Sequence, residues 1–357
     1  MGLVVFSDLY KEKQPRRFTA LLTVILTLAL AACDKQPALE RELETYNTRL
    51  ANVLETELPK FPKSHSHTLK LTPLALAPSE ITLLEFLRLF GCELQHTIGK
   101  SNSQMGKLAP ASQQLITALY FQHHVTNCLA VLQQRGEDKL REKLLRAAKQ
   151  KQAQLPKMIY NATLAAPEFS ELWRPQYAPD YPENIGPDVI EALDHLYSFI
   201  RAWLDGDYLR GINQLESTLG IIRTTDAGTL RHSLAVNSAY LSVANTMIEQ
   251  RIVSHPLCPL KKPNQQSQIL ENVVLKFFIQ SVQRRHARLN HRFYELMPAI
   301  TRIETLLEHR LNKSDLAPFQ RWKQIRDKEM TSNLDITKRH VATIKKILAT
   351  CGSSFGS

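Results

Sequence analysis

The stretch Leu39-Glu40-Arg41-Glu42-Leu43-Glu44-Thr45-Tyr46-Asn47-Thr48-Arg49-Leu50-Ala51-Asn52-Val53-Leu54 decides the fold class. Its apolar side chains fall at Leu39, Leu43, Tyr46, Leu50, Val53 and Leu54, three to four residues apart for most of its length. That is the period of one face of a helix. Polar residues fill most of the intervals, and Pro59 closes the segment because a proline ring cannot continue a helix.

The same spacing governs the chain on either side. Pro59, Pro62, Pro73 and Pro78 make residues 59–78 an extended crossing. Ser79 is a fair N-cap for Ile81, Leu83, Leu84 and Leu87, a helix expected to reach about Ile98. Pro110 opens the next helix, to about Gln134. A strongly charged helix starts at Gly136-Glu137-Asp138 and is expected to end before Pro156. Residues 156–187 are proline-punctuated and read as irregular, with helices resuming at 187–205, 207–224 and 227–252. After a break at 255–264, a long helix is predicted from about Gln265 to Arg310, kinked near Pro298, and a last one over 316–349. No alternating strand pattern stands out, and 12 glycines are few for a turn-rich sandwich. The fold class is therefore all-α, an irregular multi-helix bundle of about eight to ten helices.

Ahead of the bundle lies a different pattern. Lys11, Lys13, Arg16 and Arg17 precede the apolar run Phe18 to Leu30, which is shorter than the roughly 20 residues a membrane span needs. Leu30-Ala31-Ala32-Cys33 follows. Small residues before a cysteine resemble the bacterial lipobox, which implies diacylglycerol on the Cys33 thiol, cleavage before it and acylation of the new amino group. Residues 1–10 are surplus to such a signal. Asp34 next to the acylated cysteine resembles the mark that keeps a lipoprotein in the inner membrane, so the periplasmic face of that membrane is the expected location, with the outer membrane as the alternative. Residues 1–32 are then the signal peptide, 33–78 an anchor-proximal helix and linker, 79–256 a helical region, and 257–357 a basic helical region packing on it.

Charge is uneven. The chain carries a net +11, yet residues 257–357 hold 18 basic side chains against eight acidic ones, while residues 168–226 hold 11 acidic against four basic. A basic face on a tethered protein points to anionic lipid or an acidic protein partner. Nucleic acid is not expected, because an exported lipoprotein does not meet it. Besides Cys33 there are four cysteines, Cys92, Cys128, Cys258 and Cys351. An even number in an oxidising compartment implies two disulfides, with three connectivities open. Cys92 and Cys128 lie on consecutive predicted helices and Cys258 and Cys351 at the ends of the basic segment, which favours those two pairs.

Chemistry-bearing patterns are thin. Glu93 and His96 share a helix face in a Glu-x-x-His spacing that di-iron bundles use in duplicate, but the second copy is missing. His65 and His67 lack further ligands, and His123 and His124 point to different faces. No metal site and no cofactor is expected. The densest cluster is Arg284, Arg285, Arg288 and Arg292. Positions 284, 288 and 292 form one helical stripe that suits phosphate groups, or that pairs internally with the acidic 168–226 segment. No nucleophile elbow, zinc-protease, phosphate-loop or dinucleotide motif occurs, so no catalytic residue is assigned.

Several stretches together resemble an uncharacterised bacterial lipoprotein family known only as a domain of unknown function, family 3080. They are Leu89-Phe90-Gly91-Cys92-Glu93-Leu94, Asn102-Ser103 with Gly106-Lys107, Ser112, Asn127-Cys128, Asn161-Ala162, and His340 before Cys351-Gly352. The resemblance implies one unit over residues 33–352 with Cys92, Cys128 and Cys351 structural, and carries no activity or ligand. The expected function is a lipid-anchored helical protein that binds or scaffolds at the periplasmic membrane surface. The alternatives are an enzyme on an envelope lipid or polymer, and a purely structural lipoprotein.

Overall fold

A computed structural model of the chain describes residues 38–61, 71–77, 89–95, 98–99, 106, 108–176, 178, 181–183 and 189–352. Among the described residues there is no strand, and the fold is all-α. The helices are α1 (Ala38–Leu54), α2 (Ala111–Gln134), α3 (Asp138–Ala162), α4 (Pro167–Leu172), α5 (Val189–Leu204), α6 (Leu215–Arg223) and α7 (Ala227–Ser254). They continue with α8 (Gln265–Val273), a π-helical stretch π1 (Val274–Gln283), α9 (Arg284–Glu308), α10 (Lys313–Leu334) and α11 (Ile336–Ala349). Joined where they run on, they make seven longer helices, several bent, somewhat fewer than eight to ten. Residues 38–357 form one compact unit.

The packing follows from which faces are apolar. Three buried clusters form. The largest gathers α4, α5, α6, α9 and α10 with one end each of α2, α3 and α7. A second is built by α1, the other end of α7, α8, π1 and α11, around Leu43, Tyr46, Leu50, Met247, Phe278 and Ile347. A third fills the far halves of α2 and α3 against Leu89, Cys92 and Leu94. Helix α7 contributes Leu230 and Leu234 to the first cluster and Leu241, Ala244 and Ile248 to the second. The rod α8–π1–α9 bridges the same two clusters with Val274 and Phe278 at one end and Ile300 and Leu307 at the other. These two long elements hold the halves of the bundle in register.

Five local expectations change, the first being that the helix expected over 207–224 forms only over Leu215–Arg223 after a run of turns. Helix α3 does not stop before Pro156 but runs on to Ala162. Proline costs the helix a hydrogen bond and a clash, about 3 kcal/mol. Leu155, Ile159 and Tyr160 on the same stretch are buried, and each large apolar side chain returns about 1.5–3 kcal/mol. Residues 89–93 are turns rather than helix. Gly91 sits at φ +81 and the Arg135 Nη1 donates to the Phe90 carbonyl at 2.5 Å, which fixes the reversal. A short helix, α4, begins with Pro167 inside the stretch read as irregular. The predicted terminal helix is split at Asp335 into α10 and α11, and the His286 ring donates through Nε2 to the Leu334 carbonyl at 3.0 Å there. Pro298 lies inside α9, which continues past it to Glu308.

Candidate functional site

The arginine cluster forms where π1 passes into α9, and the structure turns two of its four members inward. Arg285 and Arg292 are buried, Arg284 and Arg288 exposed. Arg285 donates from Nε and Nη2 to both oxygens of Glu42 on α1, at 3.1 and 2.7 Å, and from Nη1 to the Tyr181 carbonyl at 3.0 Å. Arg288 pairs with Glu183 at 2.7 Å. Arg292 forks onto Asp226, ahead of α7, with two bonds of 2.8 Å, and the Tyr181 hydroxyl donates to the same carboxylate at 2.9 Å. Burial raises the Glu42 carboxyl, but the Arg285 bonds and charge outweigh it and hold it below its ordinary value. Asp226 behaves alike, with burial overcome by Arg292. Both carboxylates stay ionised and saturated, so neither is poised to donate a proton. Internal pairing accounts for Arg285, Arg288 and Arg292, with Arg284 exposed beside them.

A second network lies in the α1–α7–α11 core. The fully buried His340 ring donates from Nδ1 to Asn245 Oδ1 at 2.6 Å and accepts the Tyr46 hydroxyl at Nε2, 2.7 Å away. In the neutral ring both nitrogens are satisfied, Nδ1–H by the Asn245 oxygen and Nε2 by the Tyr46 hydroxyl. Burial lowers the His340 pKa to about 3 and raises that of Tyr46. His286, held between Asn237 and Leu334, is also lowered by burial. The unfolded chain, with histidine near its ordinary 6.5, therefore binds protons that the folded one refuses. The contribution of His340 is full above about pH 6.5 and is lost as pH falls toward 3, at no more than about 1.4 kcal/mol per pH unit. The urea midpoint is expected to fall from about pH 7 to about pH 4, and His340→Gln to flatten that fall. A wild-type midpoint that stays level across this range contradicts a neutral buried ring.

A groove of about 490 Å³ between α5 and α9 is lined by Tyr197, Pro298, Thr301, Arg302, Thr305, Leu306 and His309. Arg302 stacks over Tyr197 at 5.6 Å and pairs with Asp194. A pocket of about 60 Å³ beside α3 holds Lys151, whose pKa burial lowers, with its ammonium 5.3 Å from the Phe121 ring. Neither lining includes a carboxylate. Among the described residues no group of three or more His, Cys, Asp or Glu is placed to hold a metal. Glu93 pairs with His124 at 2.8 Å. His96, His65, His67, Cys33 and Asp34 lie outside the described residues.

The sequence profile of a family described as protein of unknown function (DUF3080) matches residues 43–355. The chain belongs to this family. No curated protein and no solved structure matches the chain. Several residues that carry the family resemblance do packing work. Asn161 on α3 donates to the Leu74 carbonyl and accepts its amide, at 2.9 and 2.7 Å, which ties the extended segment 71–77 to the bundle. His340 holds α11 to α1 and α7. Cys92 is bonded to Cys128, and Cys258 to Cys351. Sequence reasoning missed Arg326 altogether. It is fully buried, bonded to Glu304, and no feature of its neighbours Ile325 and Asp327 sets it apart from exposed arginines.

Proposed function

We propose that this chain is a lipid-anchored envelope protein, held by an acylated Cys33 at the periplasmic face of the inner membrane, where it binds or scaffolds. The observation that carries the reading is the cysteine count. The chain has five, and four are spent on two disulfides, which leaves Cys33, behind Leu30-Ala31-Ala32, as the odd one. Disulfides persist in oxidising compartments, in keeping with export. Two or three acyl chains on Cys33 would make attachment persistent, since one chain alone binds only marginally. Cys33 is five residues from Ala38, the first residue of α1. A chain that short reaches at most about 18 Å, so the bundle would lie against the bilayer.

Metabolic labelling with an alkyne fatty acid tests this. Wild-type protein is expected to take the label and Cys33→Ala to lose it completely. An unlabelled wild type, or a Cys33→Ala variant that still labels, overturns the reading. Density-gradient fractionation then tests the role of Asp34. Protein found mainly in the outer membrane would contradict the inner-membrane assignment.

A further inference from the structure

Between α7 and α8 the chain makes a loop that is held at three points. Cys258 is bonded to Cys351. The Lys261 amide donates to the Cys258 carbonyl at 3.0 Å. Asn264 caps α8 in a reciprocal box with Ser267, and its side-chain amide donates to the Leu257 carbonyl at 2.9 Å. Leu257 and Cys258 are buried beneath. Val253, in the last turn of α7, and Leu260, on the loop, stand 87% and 85% exposed, among the most exposed aliphatic side chains of the described residues. Lys261 and Lys262 follow, both exposed, with Lys261 at φ +54. A non-glycine residue in that region marks a conformation the surroundings impose. The disulfide also brings the end of α11 alongside, with Lys345 and Lys346 exposed. The acidic neighbours are Glu249, one helical turn before Val253, and Glu55, which is paired with Arg251.

Exposed aliphatic side chains at the end of α7 and on the loop, the second followed directly by two exposed lysines, match the layering of a bilayer surface. Apolar side chains are accepted at the headgroup–acyl boundary, and ammonium groups stay at phosphate level. A loop already fixed gives up little freedom on docking. An acidic protein would satisfy the lysines but supplies no reason for the aliphatic pair. We propose that the loop 253–263 is a membrane-contact site, in which Val253 and Leu260 enter the boundary of an anionic bilayer while Lys261 and Lys262 meet lipid phosphates. The proposal takes from the anchored reading only where the bilayer is. The Gln266 side chain bonds the Val53 carbonyl near the C-terminal end of α1, so the loop lies at the end of that helix away from Ala38. Seventeen residues of helix span about 25 Å. An anchor at one end and this loop at the other would lay α1 along the membrane.

The test uses the mature chain from Asp34, unacylated and exported behind a conventional signal so that both disulfides form. It is expected to sediment with vesicles containing phosphatidylglycerol, much less with phosphatidylcholine alone, and to be released by salt. Lys261→Glu with Lys262→Glu should weaken binding about tenfold or more. Val253→Asp with Leu260→Asp should abolish it, with circular dichroism unchanged because all four positions are exposed. Leu260→Trp should give an emission component that shifts to the blue on vesicle addition. Absence of binding to the anionic vesicles overturns the proposal, as does binding that survives both double variants. Retention on an acidic polypeptide without vesicle binding assigns the loop to a protein partner and also overturns it. If vesicle binding holds but Cys33 takes no fatty acid, the anchored reading falls and the loop contact stands.

Discussion

Arg326→Met is expected to destabilise the fold by about 3–5 kcal/mol, enough to remove much of the stability of an ordinary domain. The guanidinium is 0% exposed. It forks onto Glu304 with bonds of 2.5 and 2.9 Å, and its Nε reaches Asp327 at 2.8 Å. The rings of Trp173 and Trp322 lie 4.7 and 4.8 Å from it. One side chain therefore joins α9, α10 and the end of α4. Burial alone would lower the Arg326 pKa, but Glu304 outweighs it and the group is held as a cation. Methionine fills similar space yet strands the Glu304 carboxylate, itself 1% exposed, with Lys323 at 3.7 Å as its remaining cation. That uncompensated charge is where the cost arises. Arg326→Met combined with Glu304→Leu removes both charges and should recover most of the loss, because a buried pair replaced by apolar groups is often neutral. Arg326→Lys should fall between, keeping the charge but losing the fork and the flat contact with the indoles. Urea unfolding of the four proteins checks this. A loss below about 1 kcal/mol for the single variant, or a double variant no better than the single, contradicts the account.

The helices were legible because they rest on a local signal. The three-to-four spacing of apolar residues, with Pro110, Gly136 and the break at 255–264, put α2, the start of α3 and the long rod close to where they lie. What was not legible depends on distant partners. Pro156 looked like a stop, and only the burial of Leu155, Ile159 and Tyr160 overrules it. The split at Asp335 coincides with a bond from His286, 48 residues away. The arginine cluster shows the same limit. Spacing grouped Arg284, Arg288 and Arg292 on one stripe, but burial selects Arg285 and Arg292, because Glu42 and Asp226 stand opposite them from 243 and 66 residues away. The cysteine pairing was more accessible. Cys92 and Cys128 belong to neighbouring elements, and the other two bracket the segment that folds back on itself. For a functional site, spacing offers little when its residues come from separate helices, and the exposure of Val253 and Leu260 is visible only once the disulfide loop is built.

Breaking the Cys258–Cys351 bond is expected to cost about 4–5 kcal/mol. The two residues are 93 apart in sequence, and closing a loop of that length removes much of the freedom of the unfolded chain. The Cys92–Cys128 bond closes 36 residues and should be worth a little less, about 4 kcal/mol, since the entropy grows only with the logarithm of the length. The two losses differ more in place than in size. Cys258 and Cys351 are buried in the core shared by α1, α7, π1 and α11, so Cys258→Ala with Cys351→Ala also leaves small voids there. Cys92 and Cys128 belong to the smaller cluster at the far ends of α2 and α3. Hydrogen exchange should therefore show Cys92→Ala with Cys128→Ala losing protection in α2 and α3 while α7 and α11 keep theirs. Cys258→Ala with Cys351→Ala should lose protection across α1, α7 and α11 together. Equal stability of the oxidised and reduced wild type would contradict both values. It would also remove the energetic reason for an oxidising compartment, and with it part of the support for export. A large loss on reduction means that the chain folds poorly wherever these four cysteines stay reduced.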